Sequence, residues 1–307
     1  MTRFAWLQFR TRAVLALVAL AVVAIVLGVT GPHVHDLYSS CKAQGDCGPT
    51  TVLGGPLGPL QMGLDATLLV GPVLIGMFWG APLVASELEA GTLRLAWAQS
   101  VTRGRWLAAK LGVVGLSSMA VAGLFSLMAT WWFSPIDATN GGPFPLIPLR
   151  GIAPVGYTAF ALVLGVTAGA LLRRVLPAMA STLVAFIACR LAVTYWLRPH
   201  FMGAVRAVLA YGALGGEDTL QGGSSMVRVT GAAGAWVYSG YLTFPRGTQR
   251  ACAQDLTDAC LARAREVLVY QPAGRYWIFQ SCETVTFLAI AAVLAGACFW
   301  WAEHRLS

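Results

Sequence analysis

Charge is what this chain lacks most. Only 11% of its 307 residues are Asp, Glu, Lys or Arg, against about 25% in a soluble domain. Hydrophobic residues make up 57%, and mean hydropathy is +0.67. Water cannot be the solvent for most of such a surface, which excludes an ordinary soluble enzyme or binding module. Lysine is scarcer still, with 2 residues beside 19 arginines. The net charge of +8 does not point to nucleic acid, because basic residues in a membrane protein chiefly set topology. No GxxxxGK[ST] run is present, so the chain has no P-loop with which to cradle nucleotide phosphates. HExxH is absent as well. All four histidines (His33, His35, His200 and His304) fall outside the apolar runs, which leaves no Ser/His pair for intramembrane hydrolysis. No catalytic residue and no cofactor of its own are expected. His33 and His35 beside Asp36 and Cys41 could suggest an outer metal site, but a lone HxHD in a loop is a weak signal and no metal is expected.

Long apolar runs are abundant. About 20 helical residues cross a hydrocarbon core, and the candidates are 13–30, 66–85, 108–133, 151–172, 175–197 and 277–301. The expected fold is therefore all-α, a polytopic membrane protein with six transmembrane helices forming one transmembrane domain over 1–307. The first run lacks a convincing small-x-small cleavage site at GVTGPH, so it reads as an uncleaved helix. With the N-terminus inside, the cytoplasmic pieces hold Arg3, Arg10, Arg12, Arg94, Arg103, Arg105, Lys110, Arg173, Arg174 and Arg305, while the two short outer loops hold only Lys42 and Arg150. Both termini are expected in the cytoplasm. TRFAWLQFRTR could lie on the inner leaflet. The loop at 31–65 and that at 134–150, with its four prolines, are expected to be irregular. In the long segment 198–276, Phe201 to Leu214 could re-enter the membrane and Asp255 to Tyr270 reads as an amphipathic helix.

Cys41 and Cys47 fall in the first outer loop, Cys252 and Cys260 in the last. Pairing suits the oxidising side of a membrane. Of the three possible connectivities, the local pairs Cys41–Cys47 and Cys252–Cys260 are favoured.

The most informative polar stretch is ELEAGTLRLAWAQSVTRGRWLAAK, Glu87 to Lys110, set between two uncharged runs. Ser86 and Glu89 fit a capping box, Gly91 permits a bend, and Thr92 and Thr102 could each cap a further short helix. A helical hairpin over 86–106 follows. Within the spans, Arg190 and Glu283 fall at similar depths and are expected to form an intramembrane ion pair; they could alternatively serve as a proton relay in a secondary transporter. Gly76-x-x-x-Gly80 and Gly165-x-x-x-Gly169 allow close helix approach, within the chain or across a dimer seam.

Glu-x-Glu-x-Gly-Thr-x-Arg, then Gln99-Ser100, then Thr-Arg-x-Arg, resembles the cytoplasmic loop between the second and third spans of ABC-2 type transporter permeases. Gly165 to Thr182 is similar to that family's inner turn between spans four and five. YQPAGRYWIFQ resembles a branch found in antibiotic-producing actinobacteria. The resemblance implies an ABC-2 (type V exporter-like) permease fold in the cytoplasmic membrane. It also implies that Glu87, Glu89, Gly91, Thr92, Arg94 and Arg103 form a coupling helix that docks into a separate ATP-binding subunit, where ATP and Mg would be held. A second permease subunit, as a homodimer, and surrounding lipid are the other implied partners. Outward movement of an amphipathic drug, antibiotic or lipid-like cargo is the implied activity.

Overall fold

The structure is a computed structural model that describes residues 2–44, 52, 57–91, 103–139, 143–144, 149–210, 235–243 and 264–305. Six of its helices are long and apolar enough to cross a membrane. They are α1 (Thr2–Gln44), α2 (Leu57–Glu89), α3 (Arg103–Thr139), α4 (Ala153–Leu172), α5 (Val175–His200, its last turns π-helical and 3₁₀) and α6 (Tyr276–Arg305). A three-stranded antiparallel sheet lies between α5 and α6 in sequence: β1 (Val205–Ala210), β2 (Trp236–Thr243) and β3 (Arg265–Gln271), in the order β1-β3-β2.

The apolar window of α4 is 67% buried, against 11–44% for the other five. This helix is the axis of the bundle. It packs against α2, α3, α5 and α6. Its approach to α2 is close because the two small-residue motifs face each other. A Cβ added to Gly80 would lie 2.6 Å from the Leu162 carbonyl oxygen, and one on Gly169 would lie 2.5 Å from that of Ala81. Removing the side chains lets two backbones meet, which is how small residues drive helix association where no water is left to expel. Both motifs are thus engaged inside the chain.

At about 1.5 Å per residue, α2 and α3 are roughly 50 Å long, well beyond the ~30 Å hydrocarbon core; α4, with 20 residues, barely spans it. Polar contacts hold α2, α3 and α5 level at the end carrying the 86–106 segment, so the surplus length projects at the sheet end. There Leu27 and Val34 of α1, Leu57, Leu64 and Leu68 of α2, and Ala129, Trp132, Phe133 and Ile136 of α3 make a separate core. Trp132 is fully buried and donates its indole N–H to Thr30 Oγ1 at 3.0 Å.

This projection corrects the expected irregular loop at 31–65. α1 continues through Pro32 to Gln44, and α2 begins at Leu57. Leu27, Val34 and Cys41 recur every seven residues on one stripe, and all three are buried. Each fully buried aliphatic side chain contributes about 1.5–3 kcal/mol, which together offsets the roughly 3 kcal/mol cost of an interior proline. A helix also separates His33 from His35 by about 200° around its axis, so they cannot share a metal. The N-terminal TRFAWLQFRTR is continuous with α1 and does not form a separate surface helix. Similarly α3 carries Pro135 and runs to Thr139.

The sheet overturns two further expectations. Residues 205–210 pair as a strand with β3 and do not re-enter the membrane, and the part of Asp255 to Tyr270 that is described belongs to β3 and not to a helix. REVLVYQ holds two valines and a tyrosine, residue types that favour a pleated and half-covered surface. Val267 and Leu268 are buried, with Val205 opposite Tyr270 and Trp236 opposite Gln271.

Candidate functional site

Two polar sites stand out in the bundle, one at each end. At the end of α2, Glu87 forms an ion pair with Lys110 of α3, and both side chains are largely buried. Lys110 also lies 3.5 Å from the Leu83 carbonyl oxygen and 4.5 Å from the centre of the Trp106 ring. Two residues on, Glu89 accepts a hydrogen bond from the Val175 backbone N–H at 3.1 Å. That N–H is a free donor at the start of α5, where a carboxylate is favoured by both hydrogen bonding and the helix dipole. Its approach is permitted by the two-residue turn between α4 and α5, in which Arg173 adopts φ 54°.

Both glutamates therefore brace the root of the polar segment from within, one to α3 and one to α5. The expected capping box is absent for the same reason. α2 runs unbroken to Glu89, so Ser86 lies inside the helix and donates back to the Pro82 carbonyl oxygen at 2.5 Å. Gly91 takes φ +67°, the left-handed turn that ends α2. Thr92, Arg94 and Thr102 lie outside the described residues, and α3 begins at Arg103.

The second site lies inside the sheet end. Tyr157 of α4 is fully buried, and its hydroxyl donates to Glu283 Oε1 of α6. Arg198, at the end of α5, places its Nε 3.8 Å from Glu283 Oε2 and stacks its guanidinium 4.2 Å from the Trp236 ring of β2. Arg190 stacks instead on the face of Tyr157, 3.9 Å from the ring centre. The expected Arg190–Glu283 ion pair is thus replaced. Tyr157 occupies the space between them, receiving one on its face and binding the other at its hydroxyl, and Arg198 is the cation that reaches Glu283. A tyrosine four residues into an apolar span was the available signal, since a buried phenol almost always finds a partner.

Nearby, Arg150 grips Asp137 with two hydrogen bonds of 2.8 and 3.1 Å. Its backbone oxygen accepts from Gln280 Nε2 at 2.8 Å and Tyr276 at 3.2 Å, which ties α6 to the loop before α4. Neither residue stood out in the sequence, because both fell in a stretch expected to be an exposed loop. Of the four cysteines expected on the outer side, Cys41 is buried at the end of α1; Cys47, Cys252 and Cys260 lie outside the described residues. Cys189, Cys282 and Cys298 are free.

The model of the family described as ABC-2 membrane transporter related matches residues 14–198, more than half of the chain. The chain belongs to that family. No curated protein and no solved structure matches it. In this ABC-2 family member the match takes in α1 to α5, including both braces of the polar segment, Tyr157 and Arg190. It stops before the sheet and α6, so Glu283 lies beyond it. The family and the six apolar helices make this a multi-pass protein of the cell membrane and an ABC transporter permease, which implies an ATP-binding partner subunit.

Proposed function

We propose that this permease is the membrane half of an ATP-driven exporter, working as a dimer of six-span subunits with two ATP-binding subunits that hold ATP and Mg. The observation that carries the proposal is the braced polar segment. Glu87–Lys110 and Glu89–Val175 fix its two roots to three spans, so a push on the tip moves α2, α3 and α5 together. Thr92, Arg94 and the residues up to Arg103 then form the face offered to the ATP-binding subunit, while Glu87 and Glu89 hold that face in place. Closure of the ATP-binding subunits would tilt the three spans and change access for an amphipathic drug, antibiotic or lipid-like cargo moving outward.

These roles separate by mutation. Arg94→Ala is expected to leave the unfolding temperature in detergent unchanged while uncoupling ATP hydrolysis from transport. Glu87→Ala is expected to lower the unfolding temperature as well, because a buried ion pair that loses one partner costs up to about 3–5 kcal/mol. Wild-type coupling in Arg94→Ala would remove the tip from the docking face. On the opposite side, the proposed links are Cys41–Cys47 and Cys252–Cys260. Non-reducing peptide mapping should recover these two local loops, and crossed loops would refute the pairing.

A further inference from the structure

Arg190 carries a guanidinium inside a membrane span. Among the described residues no carboxylate lies within ion-pairing distance of it, and its Nη1 is buried with no hydrogen-bond partner. The neighbouring Glu283 accepts from the Tyr157 hydroxyl through Oε1, while its Oε2 lies 3.8 Å from Arg198 Nε without a hydrogen bond. Guanidinium donors left without acceptors in hydrocarbon are costly, so an acceptor beyond the described residues is called for.

The surroundings say what that is. Val184, Ile187, Leu191 and Tyr195 are 46–77% exposed along one stripe of α5, and at 100° per residue Arg190 stands at the edge of that stripe where it meets the buried face. About five residues further on, roughly 7.5 Å along the helix, Tyr195 and Trp196 are exposed. With Trp131 and Trp277 they mark the interfacial belt of the sheet end. The guanidinium therefore sits just below headgroup depth, beside an exposed apolar stripe. It is also held in place. Stacking on Tyr157 fixes its plane, and Tyr157 is fixed in turn by Glu283. A stacked guanidinium presents its edge, the geometry that binds phosphate with two parallel hydrogen bonds.

We propose that Arg190, laid flat on Tyr157, binds the phosphate of an anionic phospholipid in the leaflet at the sheet end, with an acyl chain along the Val184–Ile187–Leu191 stripe. The test uses the full-length protein, purified and delipidated in detergent, with phosphatidylglycerol or phosphatidylcholine added and bound lipid counted by native mass spectrometry. Wild type should retain phosphatidylglycerol in preference to phosphatidylcholine. Arg190→Gln should retain it roughly tenfold less well, the scale of one charge-assisted pair. Arg190→Lys keeps the charge without the fork, so it guards against a folding defect and should bind several-fold more weakly than wild type. Equal retention by wild type and both variants, or no preference between the lipids, would overturn the proposal. So would a dimer that falls apart in Arg190→Gln while its phosphatidylglycerol stays bound, since Arg190 would then be an intersubunit contact.

Discussion

Leucine at Gly80 or Gly165 is expected to abolish the monodisperse folded protein in detergent, whereas Gly71→Ala is expected to unfold at or above the wild-type temperature. The three glycines differ in what they meet. A Cβ on Gly80 would collide with the Leu162 backbone, and one on Gly165 with the backbone of Gly76 and Ala81. Backbone cannot rotate aside as a flexible side chain can, so the helices must separate. The penalty then exceeds the ~1–3 kcal/mol typical of overpacking, because the contact between α2 and the central α4 is lost along its length. At Gly71 nothing lies within 4 Å, and alanine improves helix propensity by up to about 1 kcal/mol. Size-exclusion profiles and thermal unfolding of the three variants check this. A monodisperse, wild-type-like Gly165→Leu would mean that α2 and α4 do not cross here.

Glu283→Leu and Arg198→Leu are each expected to destabilise by about 3–5 kcal/mol, the cost of leaving one member of a buried pair uncompensated. The double variant should lose less than the sum, because neither charge is then left alone. Glu283 is 2% and Arg198 4% exposed, so water cannot easily screen the survivor. Arg190→Leu combined with Glu283→Leu should behave differently. Those two side chains touch opposite parts of Tyr157 and not each other, so their losses should be closer to additive. A double-mutant cycle on unfolding in detergent distinguishes the pairings. Strong coupling for Arg190 and none for Arg198 would return the ion pair to the one expected from depth alone.

That pairing shows where sequence reasoning ends. Apolar runs locate all six spans, because a stretch of about 20 uncharged residues is just what a hydrocarbon crossing needs. The same counting places Arg190 and Glu283 at one depth, yet depth leaves the angle around each helix open, and Tyr157 fills the gap between them. The ends of the spans were less legible. Gly31-Pro32 reads as a stop signal, but the Leu27–Val34–Cys41 stripe carries α1 past it, and such a stripe has value only against Trp132 and Ile136 of a helix a hundred residues away. VRAVLA and REVLVYQ do not declare themselves as strands because each is short, and a strand needs partners that lie far off in sequence. At the polar segment the motif was visible but the roles were not. Glu87 and Glu89 read as docking residues from the motif, and only the fold shows that Lys110 and the Val175 N–H also bind them.

The central claim, a permease driven by a separate ATP-binding subunit, is tested most directly by affinity purification of the tagged protein from its native membrane, with ATPase activity measured on what comes down. A P-loop ATPase should accompany the wild-type chain in stoichiometric amount, and replacing residues 92–102 with a Gly/Ser linker should release it while the membrane bundle still purifies as a folded protein. Purification without any ATPase, together with cargo movement that follows a proton gradient and stops in Glu283→Gln, would contradict the claim and make the chain a secondary transporter.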